Sequence, residues 1–335
     1  MKGISKQDFN KVLDALAANA KLLVPMEVDG VTRFAPWDKT GKLALGEGNT
    51  LIPPKDAMFP YNEKLFNYEM TNEEAGISAV TPTAETTVIL GIRPCDVRAI
   101  EALDHVFLTK GYVDEPYKIR RDNTLFVSLG CNQPEATCFC SSVGGDPMRA
   151  EKADVMMWDL GESYGLEAIS DKGKDLLKKI DNLLSKSSNQ PPAAGKFQLE
   201  FDFGGVTEKL HDMFLHPIWD HWYQKCLGCG TCTFLCPTCH CFDIQEKDTG
   251  QWNGYRYRCW DSCMYPEYSL MAGGHNPRPS KKERIRNRFL HKLCFFPERY
   301  GMTLCIGCGR CLQACPVGMD ITKFIKEVRE VSIDG

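Results

Sequence analysis

No stretch of this 335-residue chain approaches the ~18 consecutive apolar residues of a membrane-crossing helix, so no membrane span is expected. Neither sign of charge dominates: the net charge is −4, and no global field favours nucleic acid or an anionic membrane as a partner. The opening MKGISKQDFNKVLDALAANAKLLVPM alternates charged and apolar residues at helical spacing. It lacks the continuous apolar segment and cleavage pattern of an export signal, so the chain is expected to be cytoplasmic, where thiols stay reduced. Three nucleotide and metal signatures are also missing: G-x-G-x-x-G, a Walker loop and H-E-x-x-H. Nicotinamide and ATP binding are therefore expected to belong to other chains.

What the chain has in excess is cysteine. There are seventeen, and thirteen of them lie between Cys226 and Cys315. A disulfide scaffold would need a small secreted chain, so clustered thiols here point to metal. Two runs carry the strongest signal: Cys226-Leu-Gly-Cys229-Gly-Thr-Cys232-Thr-Phe-Leu-Cys236-Pro237 and Cys305-Ile-Gly-Cys308-Gly-Arg-Cys311-Leu-Gln-Ala-Cys315-Pro316. Both fit C-x2-C-x2-C-x3-C-P, the bacterial ferredoxin pattern. Cysteines at steps of three let one tight loop wrap three corners of a cubane, and the fourth cysteine of each run ligates the other cluster. This predicts one 4Fe–4S cluster on Cys226, Cys229, Cys232 and Cys315, and a second on Cys305, Cys308, Cys311 and Cys236. A zinc ribbon has no use for the third cysteine of each run or for its proline-terminated fourth. The match of Cys236-Pro-Thr-Cys239-His240 to a haem attachment motif is set aside, because Cys236 already completes a cluster.

A long insert between the runs carries Cys239, Cys241, Cys259, Cys263 and Cys294. Two readings stand for Cys239, Cys241 and Cys263. They are free thiols packed beside the clusters, or additional ligands of a further cluster whose fourth ligand is Cys259 or a non-cysteine group. Residues 279–291 (PSKKERIRNRFLH) read as a basic helix, with a solvated face expected before a partner-docking one.

Ahead of the runs the pattern is different. Residues 5–20 predict an amphipathic helix capped by Ser5, with Phe9, Val12, Leu13 and Leu16 on one face. Strand-like runs at Lys21–Val24, Thr87–Ile92, Thr124–Leu129 and Val155–Trp158 are separated in part by helix-like segments at Asp96–Val106 and Asp171–Lys186. Residues 185–196 (SKSSNQPPAAGK) read as a linker, beyond which strand signals fade. The expected fold is α+β: a mixed α/β domain over 1–200, then a helix-rich two-cluster ferredoxin-like domain over 201–335. Cys95 and Cys131 each follow a predicted strand directly, where ligands gather in open α/β sheets. With Cys138 and Cys140 they form a candidate third cluster, against a structural zinc site or uncoordinated thiols.

The succession GIRPCD, CNQPEATCFCSSVGG, HPIWDHW, CLGCGTCTFLCPTCHCFDI, WDSCM, AGGHN, LHK and CIGCGRCLQACP resembles one family. It is the family of dicluster iron–sulfur subunits that includes the A-type component of anaerobic sulfite reductase, the β subunits of sulfhydrogenases and the B-type component of flavin oxidoreductases. The resemblance implies an electron-transfer subunit of an anaerobic oxidoreductase complex. It would have a flavin- and NAD(P)H-binding subunit on one side. On the other would be a catalytic, hydrogenase, heterodisulfide-reductase-type or second electron-transfer partner. Cys95, Cys131, Cys138, Cys140, Cys239, Cys241 and Cys263 fall at family motif positions; Cys259 and Cys294 do not. The anaerobic sulfite reductase component is the alternative within the family. The alternative outside a pure relay is a reductase with its own substrate site at an open-iron cluster.

Overall fold

The computed structural model describes residues 1–332 apart from Glu47, Asn72, Glu73 and Lys110. The fold is α+β. Its strands are β1 (Lys2–Ser5), β2 (Lys21–Val28), β3 (Val31–Pro36), β4 (Lys42–Leu43), β5 (Asn62–Met70), β6 (Ala75–Ala79), β7 (Thr87–Ile92), β8 (Thr124–Leu129), β9 (Val155–Asp159), β10 (Ser163–Ala168), β11 (Ser185–Lys186), β12 (Phe242–Asp248) and β13 (Asn253–Trp260). The main sheet runs β11-β1-β10-β9-β8-β7-β2-β3, with β4 beside β2. Its middle, β9-β8-β7-β2, is parallel, and the flanking pairs are antiparallel.

Side-chain alternation splits this sheet's core between two faces. Leu22, Val24, Val88, Leu90, Val127, Leu129, Val155 and Met157 pack on one side against α1 (Phe9–Ala17) and α4 (Asp171–Lys179). Leu23, Ile89, Phe126, Met156 and Trp158 point to the other side, against α2 (Pro94–Leu108) and α3 (Glu115–Asp122). Covered on both faces, β7 and β8 read as near-continuous apolar runs, which is why the sequence exposes them so plainly.

The C-terminal part is built on short helices: α5 (Val206–Asp212), α6 (Trp219–Trp222), α7 (Thr231–Phe234), α8 (Lys281–Leu290), α9 (Phe296–Tyr300), α10 (Arg310–Gln313) and α11 (Ile321–Glu330). A separate core of Val206, Leu210, Trp219, Phe289, Leu293, Phe324 and Ile325 holds them together. A second sheet, β12-β13-β5-β6, pairs a hairpin from the insert with a hairpin from early in the chain.

Several local expectations need correction. Ser5 ends β1 instead of capping a helix, and its hydroxyl accepts from the Asp8 amide at 3.1 Å. The helix begins only at Phe9. The helix expected over 171–186 stops at Lys179, and the supposed linker opens with β11, paired to β1. Beyond the linker, where strand signals fade, the insert nonetheless forms the β12/β13 hairpin. That hairpin is stabilised by pairing with β5, a long-range contact with no local signature. The basic helix exists, and it continues into a π-helical segment, His291–Phe295. Only part of its charge faces solvent: Lys281, Lys282 and Arg286 are half-buried, whereas Arg284 and Arg288, with Lys292 in the π-helical segment, are buried.

Candidate iron–sulfur site

The two cysteine runs adopt the same backbone. In the first, Gly228 and Gly230 sit at φ of 72° and 76°; in the second, Gly307 and Gly309 sit at 69° and 75°. These left-handed positions suit glycine. Each run then enters a short helix, α7 or α10. The loops turn amides inward: Gly228 N–H donates to Cys226 Sγ at 3.3 Å, and Met319 N–H donates to Cys315 Sγ at 3.2 Å. Amide-to-sulfur bonds of this kind tune cluster potentials.

The structure sorts the thiols into groups. Cys236 interacts with Cys305, Cys308 and Cys311, which interact with one another. Cys226 interacts with Cys229 and Cys232. Arg288 faces both Cys232 and Cys311, so the two groups are neighbours. Cys95, Cys131, Cys138 and Cys140 form a further group. Cys95 lies at the start of α2 and Cys131 just after β8, both at the carboxyl ends of parallel strands. Cys239 contacts Cys236, and Cys241 contacts Cys263. Cys259 stands apart on β13, with its thiol 3.8 Å from the Asp243 carbonyl. Cys294 is also apart, against Glu298 at 3.4 Å.

The second run is wedged against the first-domain thiols. Phe139 N–H donates to the Gly307 carbonyl at 2.8 Å. A Cβ on Gly307 would lie 2.5 Å from the Cys140 amide nitrogen, so no side chain fits there. Asn49 bridges the groups. Its amide donates to the Cys308 carbonyl at 3.0 Å and approaches Cys138 Sγ at 3.6 Å, and its oxygen lies 3.6 Å from Cys95 Sγ. Arg93 fixes the surrounding turns by donating to the carbonyls of Leu45, Gly48 and Gly130. Arg310 and Asp96, each 1% exposed, form a two-pronged ion pair at 2.6 and 2.7 Å between α10 and α2.

Burial pushes the thiols of Cys138, Cys140, Cys308 and Cys311 up to about 12. Such thiols ionise only when a cation joins them, which is what a metal does. Cys236 differs: the Cys239 thiol, then Lys292, hold it well below the usual thiol range. Lys292 Nζ lies 3.1 Å from Cys236 Sγ and 3.0 Å from Thr238 Oγ1. Burial alone would lower the Lys292 ammonium, but the sulfurs of Cys236 and Cys239 beside it outweigh burial and raise it. Burial lowers Lys55 to about 8; it donates to the Cys239 carbonyl at 2.7 Å and stacks 3.9 Å from the Trp260 ring.

These cations test whether the residues fit iron–sulfur clusters. Lys55, Arg288 and Lys292 are buried, and among the described residues none has a carboxylate partner. Arg288 Nε has no hydrogen bond at all. A buried unpaired cation is costly. The groups they face are cysteine sulfurs, those of Cys232, Cys236, Cys239, Cys305 and Cys311, which become anionic when a metal takes their protons. The donors thus fit anionic thiolate-bound groups. Sequence reasoning did not single out Asn49, Lys55, Arg93 or the Arg310–Asp96 pair, whose partners lie far away in the chain.

The comparisons agree with this chemistry. A 4Fe–4S dicluster domain family matches residues 225–319. The beta subunit of sulfhydrogenase 2 from Pyrococcus furiosus is 30% identical over 331 residues, which cover 96% of each chain. No solved structure matches. Among the described residues no helix is long and apolar enough to cross a membrane.

Proposed function

We propose a relay function for this chain, which belongs to the family of 4Fe–4S dicluster subunits that contains the beta subunit of sulfhydrogenase 2. It is an iron–sulfur electron-transfer subunit; the proposal concerns its ligands, its cluster count and its partners. Bound clusters supply one-electron sites whose potentials follow burial, charge and hydrogen bonds to sulfur. Cys226, Cys229, Cys232 and Cys315 would hold the first, and Cys305, Cys308, Cys311 and Cys236 the second. Cys95, Cys131, Cys138 and Cys140 would hold a third. Cys239, beside Cys236, and the Cys241–Cys263 pair would be either further ligands or free thiols packed next to the clusters. The ligand groups span both proposed domains, 1–200 and 201–335, so the relay crosses their junction. Its partners would be a flavin- and NAD(P)H-binding subunit on one side, with a catalytic or second electron-transfer component on the other.

One observation supports this reading: the thiol groups neighbour one another in succession, Cys232 beside Cys311 and Cys138 beside Cys308. This trail starts at Cys229, which is exposed, and runs through Cys311, which is half-buried, to Cys305 and Cys308, which are buried. From there the Cys308 carbonyl and Asn49 lead to Cys138 and Cys95. Iron per chain and EPR after dithionite reduction, on anaerobically purified protein, test the trail. About twelve irons are expected for three four-iron clusters. Cys95→Ser with Cys138→Ser should remove about four and leave the coupled dicluster signal. A double variant with unchanged iron would sink the third site.

A specific feature favours a second reading, a reductase with its own substrate. A cavity of about 270 Å³ opens beside Cys95 and Cys140, with Arg98 and Arg149 in its wall. If the isolated chain turned over a small oxidant with reduced viologen, the site would be catalytic; no turnover would leave it a relay.

A further inference from the structure

Away from the thiol trail, three donors of different kinds meet at the surface of the C-terminal part. His211 is in the last turn of α5, Cys294 in the π-helical segment His291–Phe295, and Glu298 in α9. One donor atom from each lies within 4.8 Å of the other two. His211 Nδ1 is 2.7 Å from Glu298 Oε1, and Cys294 Sγ is 3.4 Å from the same oxygen.

The local fold aims them together. Thr207 Oγ1 donates to the Leu293 carbonyl at 2.8 Å, clamping α5 onto the π-helical turn. His211 follows Thr207 by four residues and so shares its face of α5. Glu298 follows Cys294 by four as well. Single π-helical turns inside α-helices occur preferentially at functional sites. Cys294 is fully buried, whereas His211 and Glu298 reach the rim of a cavity of about 780 Å³ that Glu208 and Thr303 also line.

We infer that His211, Cys294 and Glu298 bind one divalent transition-metal cation, zinc before the others, with a fourth position open to that cavity. One imidazole, one thiolate and one carboxylate are a borderline-soft set of the kind zinc takes, and three protein ligands plus an open position is the arrangement of catalytic rather than structural sites. Tetrahedral zinc, with bonds of roughly 2.0–2.3 Å, needs donor atoms roughly 3.3–3.6 Å apart. The Cys294–Glu298 spacing already meets this; the His211–Glu298 pair must open by about half an ångström, which two exposed side chains can do. The charge suits a cation, because Asp212 and Glu208 also act on Cys294 alongside Glu298. Burial and those carboxylates push the free Cys294 thiol up to about 12, so the metal would displace a thiol proton to solvent.

The test uses the full chain, purified anaerobically with its iron and loaded with one equivalent of zinc sulfate. Zinc per chain is measured after dialysis, and zinc-edge X-ray absorption, which is blind to iron, reports the ligands. The expected result is one zinc per chain with one sulfur and three lighter ligands. Cys294→Ser should remove the sulfur, and His211→Gln, at an exposed position that keeps the fold, should lower retained zinc at least tenfold. Iron should be unchanged in both. Failure to retain zinc would overturn the proposal, as would a shell of three or four sulfurs, which would mean zinc had entered the iron thiols. Zinc unaffected by His211→Gln would overturn it too, leaving the three residues as a clamp between α5 and α9.

Discussion

The two cysteine runs share a sequence pattern and a backbone but occupy opposite environments. At the position after the first cysteine, Leu227 is 65% exposed and Ile306 is 2% exposed. At the position before the third, Thr231 approaches Cys229 Sγ at 3.3 Å, whereas Arg310 reaches away to Asp96. A Cβ on Gly228 would meet only the Met264 carbonyl, at 3.6 Å, while one on Gly307 would strike the Cys140 backbone. One loop therefore ends at solvent and the other is locked inside the molecule. The motif specifies how thiols wrap a cluster. The residues between the thiols specify where that cluster can be reached.

Removing the lock should have the largest effect. Arg310→Met leaves Asp96 buried and uncompensated, and breaking a buried pair costs about 3–5 kcal/mol. Anaerobic urea unfolding should show that loss, together with loss of iron from the junction. Thr231→Ala, at the equivalent position of the exposed run, should cost less than about 1 kcal/mol. Equal effects would mean that the runs do not differ in burial as described.

The next difference concerns charge. Lys292 contacts Cys236, the thiol that sequence spacing assigns to the second run's cluster, and it is buried without a carboxylate. Reduction adds negative charge, so a nearby cation favours the reduced state. Lys292→Gln should lower the midpoint potential of that cluster. The expected shift is on the order of 60 mV, which is tenfold in a one-electron equilibrium. Lys281 lies beside the first run and donates to the Cys226 carbonyl at 3.0 Å. It is partly exposed, so solvent screens it, and Lys281→Gln should shift its cluster less. EPR-monitored redox titration of both variants checks the order.

This asymmetry marks the limit of what the sequence shows. The spacing of the runs, the strands β7 and β8 and the helix α2 were legible, because each has a local period or a fixed interval between cysteines. Cys95 and Cys131 could be placed at strand ends for the same reason. The burial of Arg288 and Lys292 was not legible. The inward face of a basic helix is hidden until the cysteine sulfurs it packs against are known, and those sulfurs come from both runs. Asn49 lies far from Cys138 and Cys308 in the chain, in a segment with no motif. The β12/β13 hairpin was hidden for a related reason, since its partner β5 lies on the other side of the linker. The missed features are those in which distant segments complete each other's charge or hydrogen bonds.

The smallest expected effect bears on the exposed run alone. Leu227 contributes apolar surface next to Cys229, the exposed cysteine among the described residues. An electron must leave or enter the trail where a thiol group is near solvent, and a partner excludes water there by covering apolar surface. Leu227→Asp should leave iron, EPR signals and stability unchanged, because the side chain packs little within the chain. It should slow electron exchange with the partner protein several-fold by weakening the encounter. Ile306→Asp, the same change at the matching position of the second run, should instead disturb iron content, since a carboxylate cannot be buried there without a partner. If Leu227→Asp left partner exchange untouched, the port would have to lie elsewhere, with the cavity beside Cys95 and Cys140 next in line.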